Sequence, residues 1–170
     1  MSMSDLLNYK DIPSPVGVLR LVASEKGLVA VVSEGGRYCN SRFREAVCRE
    51  DCPLLLQAEQ QLEEYFARTH TAFDLPLDLR GTDFQIRAWD ALLQIPYGRT
   101  RTYGDLARAM GDIKAVRAVG GALHNNPVAI IVPCHRVIGA SGKLVGFAGG
   151  LDRKSLLLSL ERERTMPELF

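Results

Sequence analysis

Apolar and polar positions in the first half of the chain alternate or recur at intervals that predict strands and one helix. Val16–Ala23 and Leu28–Ser33 are apolar-rich runs joined by a short polar turn, which is typical of a β-hairpin. Apolar residues at helical spacing predict an amphipathic helix over Leu54–Arg68. The alternation over Phe73–Leu79 predicts a further strand, and the proline within it favours the edge of a sheet.

In the second half of the chain the spacing becomes helical. Thr82 is placed to cap one helix that Pro96 ends, and Thr102 is placed to cap a second over Tyr103–Met110. A third helix is predicted over Lys114–His124, after a tight glycine turn. The second and third helices have the proportions of a helix-turn-helix.

The length and composition fit a folded protein with a substantial core. The chain has 170 residues, of which 46% are hydrophobic, enough for one large domain or two small ones. No apolar run approaches the ~20 residues of a membrane span, and the amino terminus lacks a secretory pattern. We therefore expect a cytoplasmic α+β protein, with a small α/β domain over residues 1–80 and a mainly helical domain over residues 81–170.

The cysteines do not predict a disulfide framework or a metal site. Three of the four, Cys39, Cys48 and Cys52, lie close together, so zinc has to be considered. They form no C-x-x-C pair and have no histidine nearby, so a tetrahedral ligand set is incomplete. We interpret them as structural or incidental thiols in a reducing compartment.

Charge and small residues both bear on a nucleic-acid partner. Residues 50–64 are acidic without a lysine or arginine, whereas residues 87–117 carry five arginines and one lysine against three aspartates. This distribution suits an anionic partner, although ordinary solvated surface would also explain it. In the third helix, Gly120 and Gly121 should cost about 1 kcal/mol each relative to alanine. Either a neighbouring helix or the ~6 Å minor groove of DNA would need such a close approach.

The run Ile130–Gly139 holds the strongest candidate for chemistry. Its apolar start predicts a buried strand that ends at Pro133, leaving Cys134 where the backbone leaves the sheet, with His135 beside it. A thiol held near a base is a candidate nucleophile, because thiolate is the reactive form. Strand neighbours point to opposite faces, so contact between the two side chains needs a bridging water or a turn begun at Pro133.

The sequence Pro-Cys-His-Arg-Val at residues 133–137 resembles the active-site signature of the O6-alkylguanine-DNA alkyltransferases, also called methylated-DNA–protein-cysteine methyltransferases. The resemblance covers about residues 81–161, whereas the first 80 residues match only in general character. It rests on six blocks in order: Gly81–Gln85, Tyr103–Ala107, Ala118–Ala122, Asn126–Val128, Ile130–Gly139 and Gly149–Leu151.

The resemblance implies direct reversal of DNA damage. Such a protein binds double-stranded DNA that contains alkylated guanine, flips the damaged base out, and moves the alkyl group to its own cysteine in one irreversible step. It needs no cofactor and no metal. The implied fold has a ribonuclease-H-like amino-terminal domain and a winged-helix-like carboxy-terminal domain with the helix-turn-helix. We expect a monomer that can cluster on DNA.

The resemblance also implies roles for individual residues. Cys134 matches the alkyl acceptor, and His135 matches the base that deprotonates it through a water. Glu161 matches the carboxylate that orients the histidine, although from the helix pattern alone it would be a solvated residue. Asn126 holds the active-site loop, and the phenol of Tyr103 donates a proton or hydrogen bond to the base.

Further residues match the DNA-binding surface. Arg117 matches the finger that replaces the flipped nucleotide, with a plain phosphate contact as the alternative. Arg136 is interpreted as a loop clamp or a phosphate contact. The remaining predicted DNA-binding residues are Tyr103, Gly104, Ala118 and Gly121.

Two other classes of function compete with repair. A damage sensor or regulator on the same scaffold would not need the thiol, and the presence of Cys134 argues against it. A cysteine hydrolase that uses Cys134 and His135 would need an oxyanion hole and would turn over.

Overall fold

The structure, a computed structural model, describes residues 6–33, 46–69, 72–140 and 151–165 of the chain. Cys39 and Gly149 lie outside the described residues. The chain divides into two compact units, Met1–Arg80 with Pro127–Ala129, and Gly81–Asn126 with Ile130–Phe170. None of the described helices is both long and apolar enough to cross a membrane.

The first unit is built on a four-stranded sheet in the order β3-β2-β1-β4. Its strands are β1 (Asn8–Ile12), β2 (Leu19–Ala23), β3 (Leu28–Ser33) and β4 (Val47–Cys48). The predicted hairpin is confirmed, because β2 pairs antiparallel with β3. On its other side β2 pairs antiparallel with β1, and the short β4 pairs in parallel with β1.

One helix, α1 (Pro53–Phe66), belongs to the same unit. It matches the predicted helix, but it begins one residue earlier and ends two residues earlier than predicted. Its buried residues recur at helical spacing: Leu55, Ala58, Leu62 and Tyr65. Pro53 suits the first helical position, where the missing N–H is not needed. The helix ends before Arg68, whose φ of 62° is left-handed.

The strand predicted over Phe73–Leu79 is wrong. Only Leu77 pairs, through one parallel bridge to Leu28. The Leu28 N–H donates to the carbonyl of Pro76 and its carbonyl accepts from Asp78. Since Pro76 has no N–H, the segment cannot extend a ladder in both directions.

The second unit is mainly helical and confirms the α+β class. Its elements are α2 (Asp83–Leu93), β5 (Arg101–Thr102), α3 (Tyr103–Ala109), α4 (Val116–His124), β6 (Val137–Ile138) and α5 (Leu151–Thr165). Strands β5 and β6 form a short parallel pair. Thr82 and Thr102 cap α2 and α3 as predicted, each in a complete capping box.

The helix-turn-helix consists of α3, a turn and α4. Gly111 has a φ of 87°, which favours glycine in the turn. The third predicted helix starts instead as a 3-10 turn over Ile113–Ala115, which is capped by the Asp112 side chain accepting from the N–H of Lys114. The buried indole of Trp89, on α2, donates from Nε1 to the carbonyl of Ala122 at 2.9 Å and so anchors α4.

The strand predicted over Ile130–Val132 is also wrong. Residues 129–131 form a turn, and Ile130 has a left-handed φ of 72°. All three apolar side chains are nevertheless buried. The apolarity of the run therefore marks burial in a turn, a case that periodicity alone does not separate from a short buried strand.

Candidate active site

The nucleophile candidate and its base lie on one turn. Cys134, His135 and Arg136 form a single 3-10 turn that follows Pro133. The N–H of Arg136 donates to the carbonyl of Pro133, which closes that turn. The backbone at this pair is the turn begun at Pro133 and not a strand. The opposite-face geometry of a strand therefore does not apply to this pair.

His135 is paired with Glu161, which lies 26 residues later on α5. Nε2 of the imidazole and Oε2 of the carboxylate are 2.5 Å apart, and the side chains are 0% and 1% exposed. The carboxylate accepts the Nε2 proton, so Nδ1 is the basic nitrogen of the neutral ring. Nδ1 is buried and has no hydrogen-bond partner among the described residues.

Glu161 is a buried anion, not the solvated residue that its helix pattern alone would indicate. Besides His135, its donors are Nε and Nη2 of Arg136, at 2.8 and 3.3 Å, and the N–H of Gly98 at 3.1 Å. Burial raises the pKa of this carboxyl, but hydrogen bonds and charges from His135 and Arg136 outweigh it and lower the pKa to about 2. The group is therefore ionised throughout the neutral range.

The His135 imidazole is neutral near pH 7. Burial lowers its pKa below the usual value and outweighs the opposing hydrogen bond and charge of Glu161. The charges of Arg136 and Lys154 lower the pKa further. A neutral imidazole with a free lone pair is the form that a general base requires.

The Cys134 thiol is half-buried and surrounded by groups that favour its anion. Burial raises its pKa above the usual value. A hydrogen bond from the Asn126 side chain, the charge of Lys154, and the N–H groups of Cys134 and His135 act in the opposite direction. The resting residue is therefore a thiol, and these donors stabilise the thiolate once its proton has left.

Asn126 also shapes the loop before the cysteine. Its Nδ2 donates to the carbonyl of Val132 at 2.9 Å, and the side chain is buried. The same amide thus fixes the turn and lowers the pKa of the thiol, consistent with the loop-holding role predicted for it.

Lys154 is a site residue that sequence reasoning missed. It is fully buried on α5, and its Nζ donates to the carbonyl of Val137 at 2.5 Å. Burial lowers the pKa of this amine, whereas the charge of Cys134 raises it. The available signal was its spacing, because Lys154 lies three residues before Leu157 and seven before Glu161, on the buried face of the helix.

Tyr103 lies near the thiol at the start of α3. Its phenol is half-buried, and burial raises its pKa, with the negative charge of Cys134 adding to the effect. The hydroxyl is therefore protonated at neutral pH and is able to donate to an acceptor in the site.

The other predicted DNA-binding residues lie mainly on an exposed face of the helix-turn-helix. Arg117, Ala118 and Gly121 are exposed on α4, and Gly104 is partly exposed on α3. A Cβ added at Gly120 or Gly121 would meet nothing within 4 Å in the part of the chain that the structure describes. Among the described residues no helix packs close enough to explain the two glycines, and this face has the open, small-residue surface that groove entry would require.

Arg136 differs from these residues because it is buried. Its guanidinium contacts Glu161 and donates from Nη1 to the carbonyl of Ile95 at 2.7 Å. Of the two roles considered for it, these internal contacts favour the clamp.

No group of three or more metal-ligating side chains is found among the described residues.

Two family models match the chain in succession. Residues 7–79 match the ribonuclease-like domain of 6-O-methylguanine DNA methyltransferase. Residues 83–163 match the DNA binding domain of the same family. Together they include all the site residues described above.

Individual relatives agree along nearly the whole chain. The methylated-DNA–protein-cysteine methyltransferase of Mycobacterium tuberculosis is 49% identical over 164 residues, 96% of this chain and 98% of the relative. That of Mycobacterium leprae is 57% identical with the same coverage. A crystal structure of the M. tuberculosis O6-methylguanine methyltransferase superposes with a TM-score of 0.87 at 48% identity, covering 96% and 98% of the two chains. A structure of that relative in complex with DNA gives 0.86 at 48% identity, covering 92% and 94%.

Proposed function

This chain belongs to the 6-O-methylguanine DNA methyltransferase family, and on that premise we propose that it repairs DNA by transferring an alkyl group from O6 of guanine to Cys134. The observation that carries the proposal is the pairing of His135 with Glu161 on the turn that presents Cys134. A thiol, a neutral base and a fixed carboxylate are the parts that an activated sulfur nucleophile requires.

The reaction balances with groups already in the site. The thiol proton of Cys134 moves to Nδ1 of His135, through the water that the family resemblance implies. The sulfur attacks the alkyl carbon, so that an S–C bond forms while the C–O6 bond breaks. Tyr103 donates a proton to the departing guanine, and the imidazolium proton restores the phenol. The thioether product is stable, so each molecule reacts once.

Glu161 has an orienting role in this scheme. It holds the Nε2 proton and stabilises the imidazolium that forms, without accepting a proton itself. Its low pKa supports this division of roles, because a carboxylate with several donors is a poor proton acceptor. The alkyl transfer needs no cofactor or metal in this account.

DNA is the proposed partner, bound through the exposed face of α4. The open surface at Gly120 and Gly121 supports entry into the minor groove, where small side chains allow close approach. Arg117 is exposed beside that surface and is proposed to replace the flipped guanine in the base stack. The relative solved with DNA makes this partner the natural first choice.

The domain organisation, the cellular location and the oligomeric state complete the proposal. Residues 1–80 and 81–170 are proposed as separate domains, the second of which binds DNA. The protein is proposed to act in the cytoplasm as a monomer that clusters on DNA.

The test is a stoichiometry measured by intact mass. The protein is incubated with excess duplex that carries O6-methylguanine, and mass and repaired base are followed together. Repair predicts one methyl increment per molecule and a plateau at one repaired base per protein. An unchanged mass with tight binding would indicate a damage sensor, and more than one event per molecule would indicate a hydrolase. Either of these results would overturn the proposal.

A further inference from the structure

Arg136 connects three segments of the second unit. Its Nη1 donates to the carbonyl of Ile95, two residues after the end of α2, while Nε and Nη2 both donate to Glu161 on α5. Its own backbone belongs to the turn that carries Cys134 and His135. The aromatic ring of Tyr97 lies 5.7 Å from the guanidinium carbon.

The donors divide evenly over the carboxylate. Oε1 of Glu161 accepts from Gly98 N–H and Arg136 Nε, whereas Oε2 accepts from His135 Nε2 and Arg136 Nη2. A carboxylate offers about four lone-pair sites, so four donors are enough to satisfy it. Gly98 reaches its oxygen with a φ of 76°, a conformation that favours glycine.

The charges around His135 can be counted from these contacts. Glu161 contributes one negative charge, and Arg136 cancels it in direct contact. Lys154 is a second cation whose charge acts on the imidazole, and Cys134 and Tyr103 are neutral in the resting site. An imidazolium would therefore add a positive charge to a buried group of residues whose net charge is already zero or positive.

We infer that Arg136 is a positioning residue for alkyl transfer, which holds Glu161 in register with His135 and keeps the imidazole neutral, and that it does not contact DNA phosphate. The inference rests on the proposed function. As a consequence, His135 transfers the proton that it accepts and does not remain protonated in the resting site. The imidazolium is favoured only while the thiolate, a compensating negative charge, lies beside it.

Two substitutions separate charge from geometry. Arg136→Lys keeps a cation but lacks the planar fork that reaches Glu161 and Ile95 together. Arg136→Gln removes the charge and keeps some hydrogen-bonding capacity. Arg162→Gln, at the exposed neighbour of Glu161 on α5, is the matched control. The readouts are the His135 titration by imidazole NMR, the single-turnover rate against pH, and the salt dependence of duplex binding.

The inference predicts a different result for each variant. Arg136→Gln should raise the His135 midpoint, and with it the acid limb of the rate profile, by about one pH unit. Arg136→Lys should leave the midpoint close to that of the wild type and slow transfer roughly tenfold, through lost orientation. Arg162→Gln should change neither. If Arg136→Gln does not fold, the wild-type titration and Arg136→Lys remain decisive.

Other results would overturn it. A wild-type His135 midpoint at or above about 6.5, the usual histidine value, would exclude a base held neutral. Midpoints unmoved in Arg136→Gln would indicate a merely structural arginine. If Arg136→Gln binds duplex more weakly, with a salt dependence of binding whose slope is lower by about one, and the His135 midpoint does not move, Arg136 contacts a phosphate. Since wild-type methylation of Cys134 is scored separately, these results would leave the proposed function standing, whereas an unmethylated wild type would remove both.

Discussion

The side-chain amide of Asn126 donates to the carbonyl of Val132 at 2.9 Å and also lowers the pKa of the Cys134 thiol. One buried residue therefore both fixes the loop that precedes the nucleophile and favours its ionised form. The loop is otherwise a turn with a left-handed residue, Ile130, so its shape depends on such contacts.

Removal of this amide should slow alkyl transfer. In Asn126→Ala the thiolate loses a donor and the Val132 carbonyl loses its partner, so we expect a rate roughly ten- to a hundredfold lower. The measurement is the single-turnover rate on a duplex with O6-methylguanine. Asn125→Ala is the control, because it removes a neighbouring side-chain amide that donates to the carbonyl of Gly121 at 2.9 Å. Equal losses in the two variants would contradict the role given to Asn126.

Replacement of Lys154 should separate reactivity from stability. Lys154→Met removes a buried charge that lowers the pKa of the Cys134 thiol, so that pKa should rise and transfer should slow roughly tenfold. Stability should change little, since an apolar side chain of similar size relieves the cost of burying an amine. The thiol is titrated by its pH-dependent reaction with a small alkylating reagent, with Lys26→Met as an exposed control. An unchanged titration would show that Lys154 is structural.

Acid should destabilise the protein in two steps. The pKa of His135 is lowered in the fold, so the unfolded chain takes up a proton first and stability begins to fall below about pH 6.5. Glu161 contributes stability that is present above its unfolded pKa near 4.5 and is lost as pH falls towards about 2, a contribution of roughly 3 kcal/mol. Denaturant unfolding measured from pH 7 to pH 2 should show both.

Glu161→Gln is the control for the second step. This variant should be less stable at pH 7 and should lack the loss that accompanies carboxyl protonation. A wild-type protein whose stability is flat from pH 6.5 to pH 3 would contradict the buried ion pair.

Substitution of the exposed Gly121 should show a trade-off between stability and binding. Because no described residue lies within 4 Å of a Cβ added at this position, Gly121→Ala should stabilise α4 by about 1 kcal/mol, and Gly121→Leu should fold normally. Both should weaken duplex binding, the leucine more, because side-chain bulk obstructs groove entry. Gly111→Ala is the contrasting control, since its φ of 87° makes alanine destabilising even in open space. Unimpaired binding by Gly121→Leu would remove this face from the DNA interface.

Local rules predicted much of this fold. Thr82 and Thr102 were identifiable as caps because a capping box depends on residues three positions apart. The hairpin of β2 and β3 likewise follows from neighbouring residues. The Ile130–Val132 turn was predicted as a strand, because burial and not pairing made the run apolar.

Local sequence patterns predicted less of the site than of the fold. Glu161 was singled out only through the family resemblance, since nothing in a helix pattern reveals that its carboxylate faces an imidazole 26 residues away. Lys154 was missed although its spacing places it on the buried face of α5, because its hydrogen bond to the backbone carbonyl of Val137 leaves no mark on the sequence. The buried clamp of Arg136 also depends on contacts with Ile95 that only the folded chain brings together.

The most direct test is to locate the transferred group. After reaction with duplex that carries O6-methylguanine, the protein is digested and its cysteine-containing peptides are analysed by mass spectrometry. The account predicts one methyl group, on the peptide that contains Cys134, with Cys39, Cys48 and Cys52 unmodified. A methyl group on any of those three, or an unmodified Cys134 after the duplex has been repaired, would contradict it.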